Sequence, residues 1–121
     1  MNRLLRSIIW SLSQRNSAKG KLGRSLKLIE YVENRTELNS LELAHKATIL
    51  ARMKRYNDAE TYLQKVLDKK YSSDNSDHEY IRLYSQSTLH ALRGELDKEE
   101  KAKDKAANIR CKHYLRIWLP L

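Results

Sequence analysis

The sequence predicts an all-α protein, and three observations support this fold class. The chain of 121 residues contains only three glycines and one proline, so few positions favour the tight turns of β-hairpins. Leucine, alanine, lysine, arginine and glutamate, which favour helices, are abundant. Residues of similar size recur 34 positions apart, a period typical of stacked helix pairs. We therefore expect one domain over residues 1–121, built as a short α-solenoid of about three antiparallel helix pairs.

The first two copies of this repeat correspond residue by residue. The matched pairs are Ile9 and Leu43, Ser13 and Ala47, Leu22 and Tyr56, Ser25 and Ala59, Ile29 and Leu63, and Val32 and Val66. A large apolar residue four positions before a small one shares its helical face, and the small residue lets the second helix of the pair approach closely. The two copies predict four helices, at 2–17, 22–34, 39–53 and 56–70.

A third copy follows at a spacing of 40 residues. It aligns Leu43 with Leu83, Ala47 with Ser87, Tyr56 with Leu96, and Val66 with Ala106. Across both spacings, Gly94 corresponds to Gly20 of the first copy. The polar stretch 72–77 accommodates the six additional residues as a loop, with Ser76 or Asp77 capping the next helix. This copy predicts two further helices, at 77–93 and 96–116. A plain bundle of four to six helices, with an accidental period, is the alternative.

The middle copy resembles a tetratricopeptide repeat. Residues 43–67 look like one whole repeat, and the stretch Arg55-Tyr56-Asn57-Asp58-Ala59-Glu60 is similar to the family's turn into its second helix. The chain departs from the family at Lys46, where leucine is usual, and at Lys54, where glycine is common. The resemblance implies a right-handed solenoid. Its repeats would span about 6–38, 40–72 and 77–112, followed by an apolar tail at 113–121.

No pattern of residues indicates catalysis or metal binding. His45, His90 and His113 fall in different predicted helices, and only Cys111 and His113 are neighbours, whereas zinc sites usually need four ligands with paired spacing. No phosphate loop, glycine-flanked serine or His-Glu-x-x-His motif occurs. We therefore expect no enzyme activity, no catalytic residues, no metal and no cofactor.

The family resemblance directs attention to the groove formed by the first helix of each pair, where such proteins hold extended peptides or partner helices. The groove residues predicted to bind a partner are Trp10, Gln14, His45, Arg52, Arg82 and Tyr84. Aromatic and arginine side chains are enriched among binding hot spots. The alternative for Trp10 is packing against the second helix pair. We expect a protein-interaction module, such as an adaptor, a small chaperone or an assembly factor, for an acidic or amphipathic segment.

Positive charge is concentrated at the beginning of the chain. Residues 1–29 carry seven of the nine net positive charges and no acidic residue. Such a region suits acidic proteins, phosphate backbones and anionic lipids. RNA binding and peripheral membrane attachment are therefore the alternative functions. For the membrane, the first helix places Leu5, Ile8, Ile9 and Leu12 on one side and Arg3, Arg6 and Trp10 on the other, but the repeat predicts that stacking covers the apolar side.

The end of the chain and its single cysteine suggest an assembly state and a location. Residues 114–121 are apolar on almost every side of a helix, so we expect this segment to be buried. It caps its own stack, inserts into the groove of the same chain, or forms a homodimer through Tyr114, Ile117, Trp118 and Leu119. Cys111 cannot form an internal disulfide, which favours a reducing cytoplasmic location. The serine-containing, acid-free first 29 residues make mitochondrial import the alternative.

Overall fold

The computed structural model describes residues 1–69 and 76–92 together with Gly94, with side chains described for 1–69 and 79–91. These residues form α1 (Arg3–Ala18), α2 (Leu22–Glu33), α3 (Ser40–Arg52), α4 (Tyr56–Asp68) and α5 (Ser76–Leu92), and they contain no strand. The predicted all-α class is confirmed, and each of the five helices begins and ends within two residues of its predicted bounds. The predicted sixth helix and the apolar tail lie outside the described residues.

The first helices of the two complete pairs begin at asparagine caps. The Asn2 side chain accepts a hydrogen bond from the Leu5 amide at 2.9 Å. Before α3, Asn39 Oδ1 accepts from the Glu42 amide and Glu42 Oε1 accepts from the Asn39 amide, each at 2.9 Å, which completes a capping box. These bonds satisfy amide groups that a helix start otherwise leaves without partners.

Consecutive helices pack against each other, and α3 also contacts α5. The small residues predicted as contact points are all buried, with 0% exposure at Ser13, Ser25 and Ala59 and 1% at Ala47 and Ser87. The large residues at equivalent positions are buried as well, including Ile29 and Leu63, and Val32 and Val66. The structure is therefore a stack of helix pairs with small residues where the helices approach most closely.

One expectation drawn from the repeat is wrong, and one pair of equivalent residues differs in exposure. Tyr56 is 51% exposed whereas its equivalent Leu22 is half-buried, although each is the first residue of its helix. Of the aliphatic residues of α1 only Ile9 is buried, at 6%, whereas the rest of the apolar face, which stacking was expected to cover, lies open to solvent. The second helix pair packs instead on the more polar side of α1, where Arg6 pairs with Glu42 through Nε and Oε2 at 2.8 Å.

The turns within the helix pairs share an unusual backbone conformation. Gly20, Lys54 and Gly94 have φ angles of 77°, 63° and 73°, and they are separated by the two repeat spacings of 34 and 40 residues. Glycine adopts this left-handed conformation freely, whereas a residue with a Cβ atom is strained there. Lys54 therefore holds a strained backbone at a position where the other two copies have glycine.

Replacing Lys54 with glycine is expected to raise the free energy of unfolding by about 1 kcal/mol, because the left-handed strain disappears. The Lys54 side chain is exposed, so little packing is lost. Urea unfolding followed by circular dichroism measures the change. The reverse control is Gly20→Ala, which should destabilise the protein through φ alone, since an added Cβ meets no atom within 4 Å. A Lys54→Gly variant no more stable than the parent would contradict the assignment of strain.

Candidate functional site

The predicted groove corresponds to the side shared by α1, α3 and α5. We call the exposed and half-buried residues of this side the inner face: Trp10, Gln14, Thr48, Arg52 and Tyr84. Tyr84 belongs to it by register, because the two repeat spacings place it at the position of Trp10. Successive first helices of the repeat therefore contribute residues at equivalent positions to this side.

Trp10 is half-buried and held in place. Its ring lies edge-on to the His45 ring, with 5.0 Å between the centroids and 68° between the planes. It also packs against a buried cluster that joins the first two helix pairs and includes Leu26, Ile29 and Leu50. The alternative that Trp10 packs on the second pair is thus confirmed. The part of the ring that remains exposed has a fixed orientation.

His45 does not lie on the surface, so its predicted place in an open groove needs correction. The residue is 4% exposed, and its Nε2 lies 2.8 Å from Ser13 Oγ. Ser13 Oγ also donates to the Ser25 carbonyl at 2.9 Å, and Ser25 Oγ donates to the Ser13 carbonyl at 2.6 Å. These bonds are satisfied together when Nε2 carries the proton. Burial lowers the pKa of His45 to about 4, so the ring is neutral at neutral pH. The buried His45 ring therefore packs against the inner side of the Trp10 ring.

The hydrogen-bonded Ser13 and His45 have the residue types of a nucleophile and its base, but their setting is that of a core. Ser13 is 0% exposed, and its hydroxyl is already engaged with Ser25. A substrate could not reach the Oγ atom without opening α1 from α2. Within the described residues no group of three or more potential ligands could hold a metal ion. Cys111 and His113 lie outside those residues, as does the predicted self-association segment.

Arg52 fixes the end of α3 to the end of α1. Its Nη1 donates to the Ser17 carbonyl at 3.0 Å and to Ser17 Oγ at 2.8 Å. Among the described residues no carboxylate forms an ion pair with it. The inner face therefore carries a guanidinium whose charge is not neutralised by a described acidic residue.

Arg82 stands apart from the other predicted groove residues. The spacing of 40 aligns it with Glu42, which faces the preceding pair, and its Nε donates to Glu79 Oε2 at 3.0 Å on its own helix. This bond raises the pKa of Arg82 and lowers that of Glu79. Tyr84 remains on the inner face, half-buried against Tyr80 with 4.6 Å between the ring centroids.

Sequence reasoning missed a polar cluster between the two complete pairs. Lys46 is 4% exposed, and its ammonium donates to Tyr62 Oη at 2.7 Å and to Glu33. Tyr62 Oη in turn donates to Glu33 Oε2 at 2.8 Å. Burial opposes ionisation of both Glu33 and Lys46, but the hydrogen bonds prevail, so the pKa of Glu33 is lowered and that of Lys46 is raised. The sequence signal for this cluster was Lys46, a lysine at a position where tetratricopeptide repeats usually have leucine.

Two shallow surface depressions, of about 410 and 460 Å³, occur in the described part of the chain. Their linings come from α2, the following loop, α3 and α4, and both mix acidic and basic residues. Neither includes a residue of α1 or of the inner face.

Of the described helices, none combines the length and the apolar character needed to cross a membrane. No protein-family model, curated protein or solved structure matches this chain. The resemblance to tetratricopeptide repeats therefore stays a prediction.

Proposed function

We propose that this chain is a protein-interaction module of the tetratricopeptide-repeat kind, which holds an acidic or amphipathic segment of another protein on its inner face. The observation that supports this proposal most directly is the state of Trp10. Its ring is half-buried, oriented by His45 and still partly open to solvent. A large aromatic surface that is already immobile loses little conformational entropy when it binds.

The charge of the inner face indicates the chemistry of the segment. Arg52 is held by two hydrogen bonds to Ser17. Ser17 follows Trp10 by seven residues, so the guanidinium is bound about two helical turns from Trp10 along α1. An aromatic surface and a positioned guanidinium favour a segment with an apolar side chain and a carboxylate at a similar separation. An adaptor, a small chaperone or an assembly factor in the cytoplasm would use such a face.

The test measures the fluorescence emission of Trp10. Trp10 and Trp118 are the two tryptophans of the chain, so Trp118→Phe leaves Trp10 as the sole tryptophan. Acidic amphipathic peptides, with basic peptides of the same pattern for comparison, are titrated into this variant. We expect the acidic set to shift Trp10 emission, and Arg52→Glu to weaken its binding about tenfold or more.

The matched control is Lys27→Glu, which reverses an exposed charge on α2, away from the inner face. It changes the net charge as Arg52→Glu does. We expect it to leave peptide affinity within about twofold, because Lys27 is not on the inner face and salt screens exposed charges. Acidic peptides that bind equally to the parent and to Arg52→Glu, or that leave Trp10 emission unchanged, would refute the inner face as the binding site.

A further inference from the structure

A second surface of α1 has the composition of a buried face but is open to solvent. Its central residues are Leu5, Ile8 and Leu12, which are 42%, 48% and 41% exposed, and we call these three the outer strip. Met1 and Leu4 extend the strip with exposures of 45% and 69%. Spacings of three and four residues place this series along one side of the helix. Within the described part of the chain, no element covers it.

The repeat shows that this side of a first helix is normally a packing surface. Shifted by 34 residues, Ile8 and Leu12 correspond to Glu42 and Lys46 of α3. Glu42 and Lys46 are 3% and 4% exposed, because that side of α3 lies on the preceding helix pair. In α1 the same side is more apolar than in α3 and has no described element on it.

Exposed cations lie on the same side of α1 as the outer strip and on the helix that packs beside it. Arg15 follows Leu12 by three residues and Lys19 follows it by seven, so both continue the same side of the helix. The neighbouring helix α2 adds the exposed Arg24 and Lys27. No described carboxylate forms an ion pair with any of these four residues. Residues 1–29 contain no acidic residue at all.

We propose that the outer strip docks on an anionic lipid surface, with α1 lying in the plane of the membrane interface. Aliphatic side chains would enter the boundary between headgroups and acyl chains, while Arg15, Lys19, Arg24 and Lys27 meet lipid phosphates and carboxylates. The strip is the convex side of a single helix, and neither surface depression touches it. A row of aliphatic side chains flanked by cations is the pattern of helices that lie in a membrane interface.

Other occupants of the strip fit its charge less well. A second copy that docked strip to strip would bring two cationic rims together. The chain's own apolar end, residues 109–121, carries Arg110, Lys112 and Arg116 and no acidic side chain. Neither supplies the negative charge that the rim requires. The inference is independent of the inner face, which lies on another side of α1, so each proposal can fail without the other.

Vesicle flotation of the full chain tests the proposal. We expect the protein to float with phosphatidylcholine vesicles that contain about 30 mol % phosphatidylserine, to stay behind with pure phosphatidylcholine, and to dissociate at about 0.5 M salt. The triple variant Leu5→Ser, Ile8→Ser, Leu12→Ser should reduce partitioning about tenfold or more, because three inserted aliphatic side chains are lost. Tyr56→Ser, which removes an exposed ring from α4, is the matched control and should float like the parent.

A charge variant makes the test independent of any effect of the triple variant on folding. Arg15→Gln with Lys19→Gln keeps the apolar strip and should weaken flotation by about tenfold, since each cation near the surface adds to binding. Absence of flotation with anionic vesicles would overturn the proposal. A dimer that forms without vesicles and dissociates in the triple variant would also overturn it, because a second copy would then cover the strip. RNA binding by the parent and the triple variant, with no flotation of either, would overturn it as well.

Discussion

Replacing Glu33 with alanine is expected to lower the free energy of unfolding by about 2 kcal/mol, although the Glu33 side chain is 28% exposed. The effect arises at Lys46, whose side chain is only 6% exposed and whose ammonium donates to Glu33 and to Tyr62 Oη. Without Glu33, the ammonium stays in a poorly hydrated site with no described carboxylate beside it. Because Glu33 retains some contact with water, the loss should be at the low end for a broken buried ion pair.

Lys46→Leu should change stability much less, by about 1 kcal/mol or under, because it removes the buried charge and adds an apolar side chain. Tyr62 Oη still donates to Glu33 Oε2, and the carboxylate still reaches water. Combining Glu33→Ala with Lys46→Leu should therefore recover most of the stability lost in the single variant.

Urea unfolding at pH 7 measures these free energies for the parent, both single variants and the double variant. Glu30→Ala is the control on the same helix, and for it we expect a change of about 0.5 kcal/mol or less. If Glu33→Ala matched Glu30→Ala in stability, the ammonium of Lys46 would have found another partner and the cluster would be unimportant for the fold.

The stacked helix pairs could be predicted because their signals are local. Close helix approach requires small side chains at defined positions, and Ser13, Ser25, Ala47 and Ala59 show these positions directly in the sequence. The turn conformation is local as well, since glycine at two copies indicates the backbone that Lys54 also adopts. Size and spacing alone were sufficient for these features.

The side of α1 that packs could not be predicted from hydrophobicity. The outer strip looks like a core face, whereas the real contact side contains Arg6, Trp10, Ser13 and Ser17. Its polar atoms are paired with residues far along the chain: Ser13 with His45, 32 positions away, and Arg6 with Glu42, 36 positions away. A helical wheel counts apolar residues and does not register such partners.

The candidate site was predicted in part for the same reason. Trp10, Gln14, Arg52 and Tyr84 lie on the inner face because the repeat register determines which side of each helix points there. Side-chain burial depends on the neighbouring helix, so the register could not show that His45 lies beneath Trp10.

The stability of the fold is expected to fall as the pH is lowered from 6.5 towards 4, chiefly because of His45. Burial lowers the pKa of this imidazole from its ordinary 6.5 to about 4. The unfolded chain therefore takes up a proton near pH 6.5 that the folded chain accepts only near pH 4. Above pH 6.5 neither state is protonated and the full stability is present. Below pH 6.5 proton uptake favours the unfolded state, and it lowers the free energy of unfolding by about 2 kcal/mol at pH 5 and about 3 kcal/mol at pH 4.

Carboxylates set the lower limit of the useful pH window. The pKa of Glu33 is also lowered in the folded state, so its contribution is lost only as the pH falls below the ordinary carboxyl value of 4.5. Urea unfolding between pH 7 and pH 5 therefore isolates the histidine. His45→Gln should be less stable than the parent at pH 7, because it disturbs the bond to Ser13 and the contact with Trp10, but nearly independent of pH in this range.

His90→Gln serves as the control, since it removes a histidine and leaves His45 in place, so the loss of stability should persist. If His45→Gln and the parent lost the same free energy between pH 7 and pH 5, the proton would be taken up elsewhere and the buried neutral state of His45 would be refuted. If only the proteins that keep His45 lose stability between pH 7 and pH 5, then mild acid weakens the packing of α1, α2 and α3. The inner face would then weaken together with the fold, because the same imidazole orients Trp10.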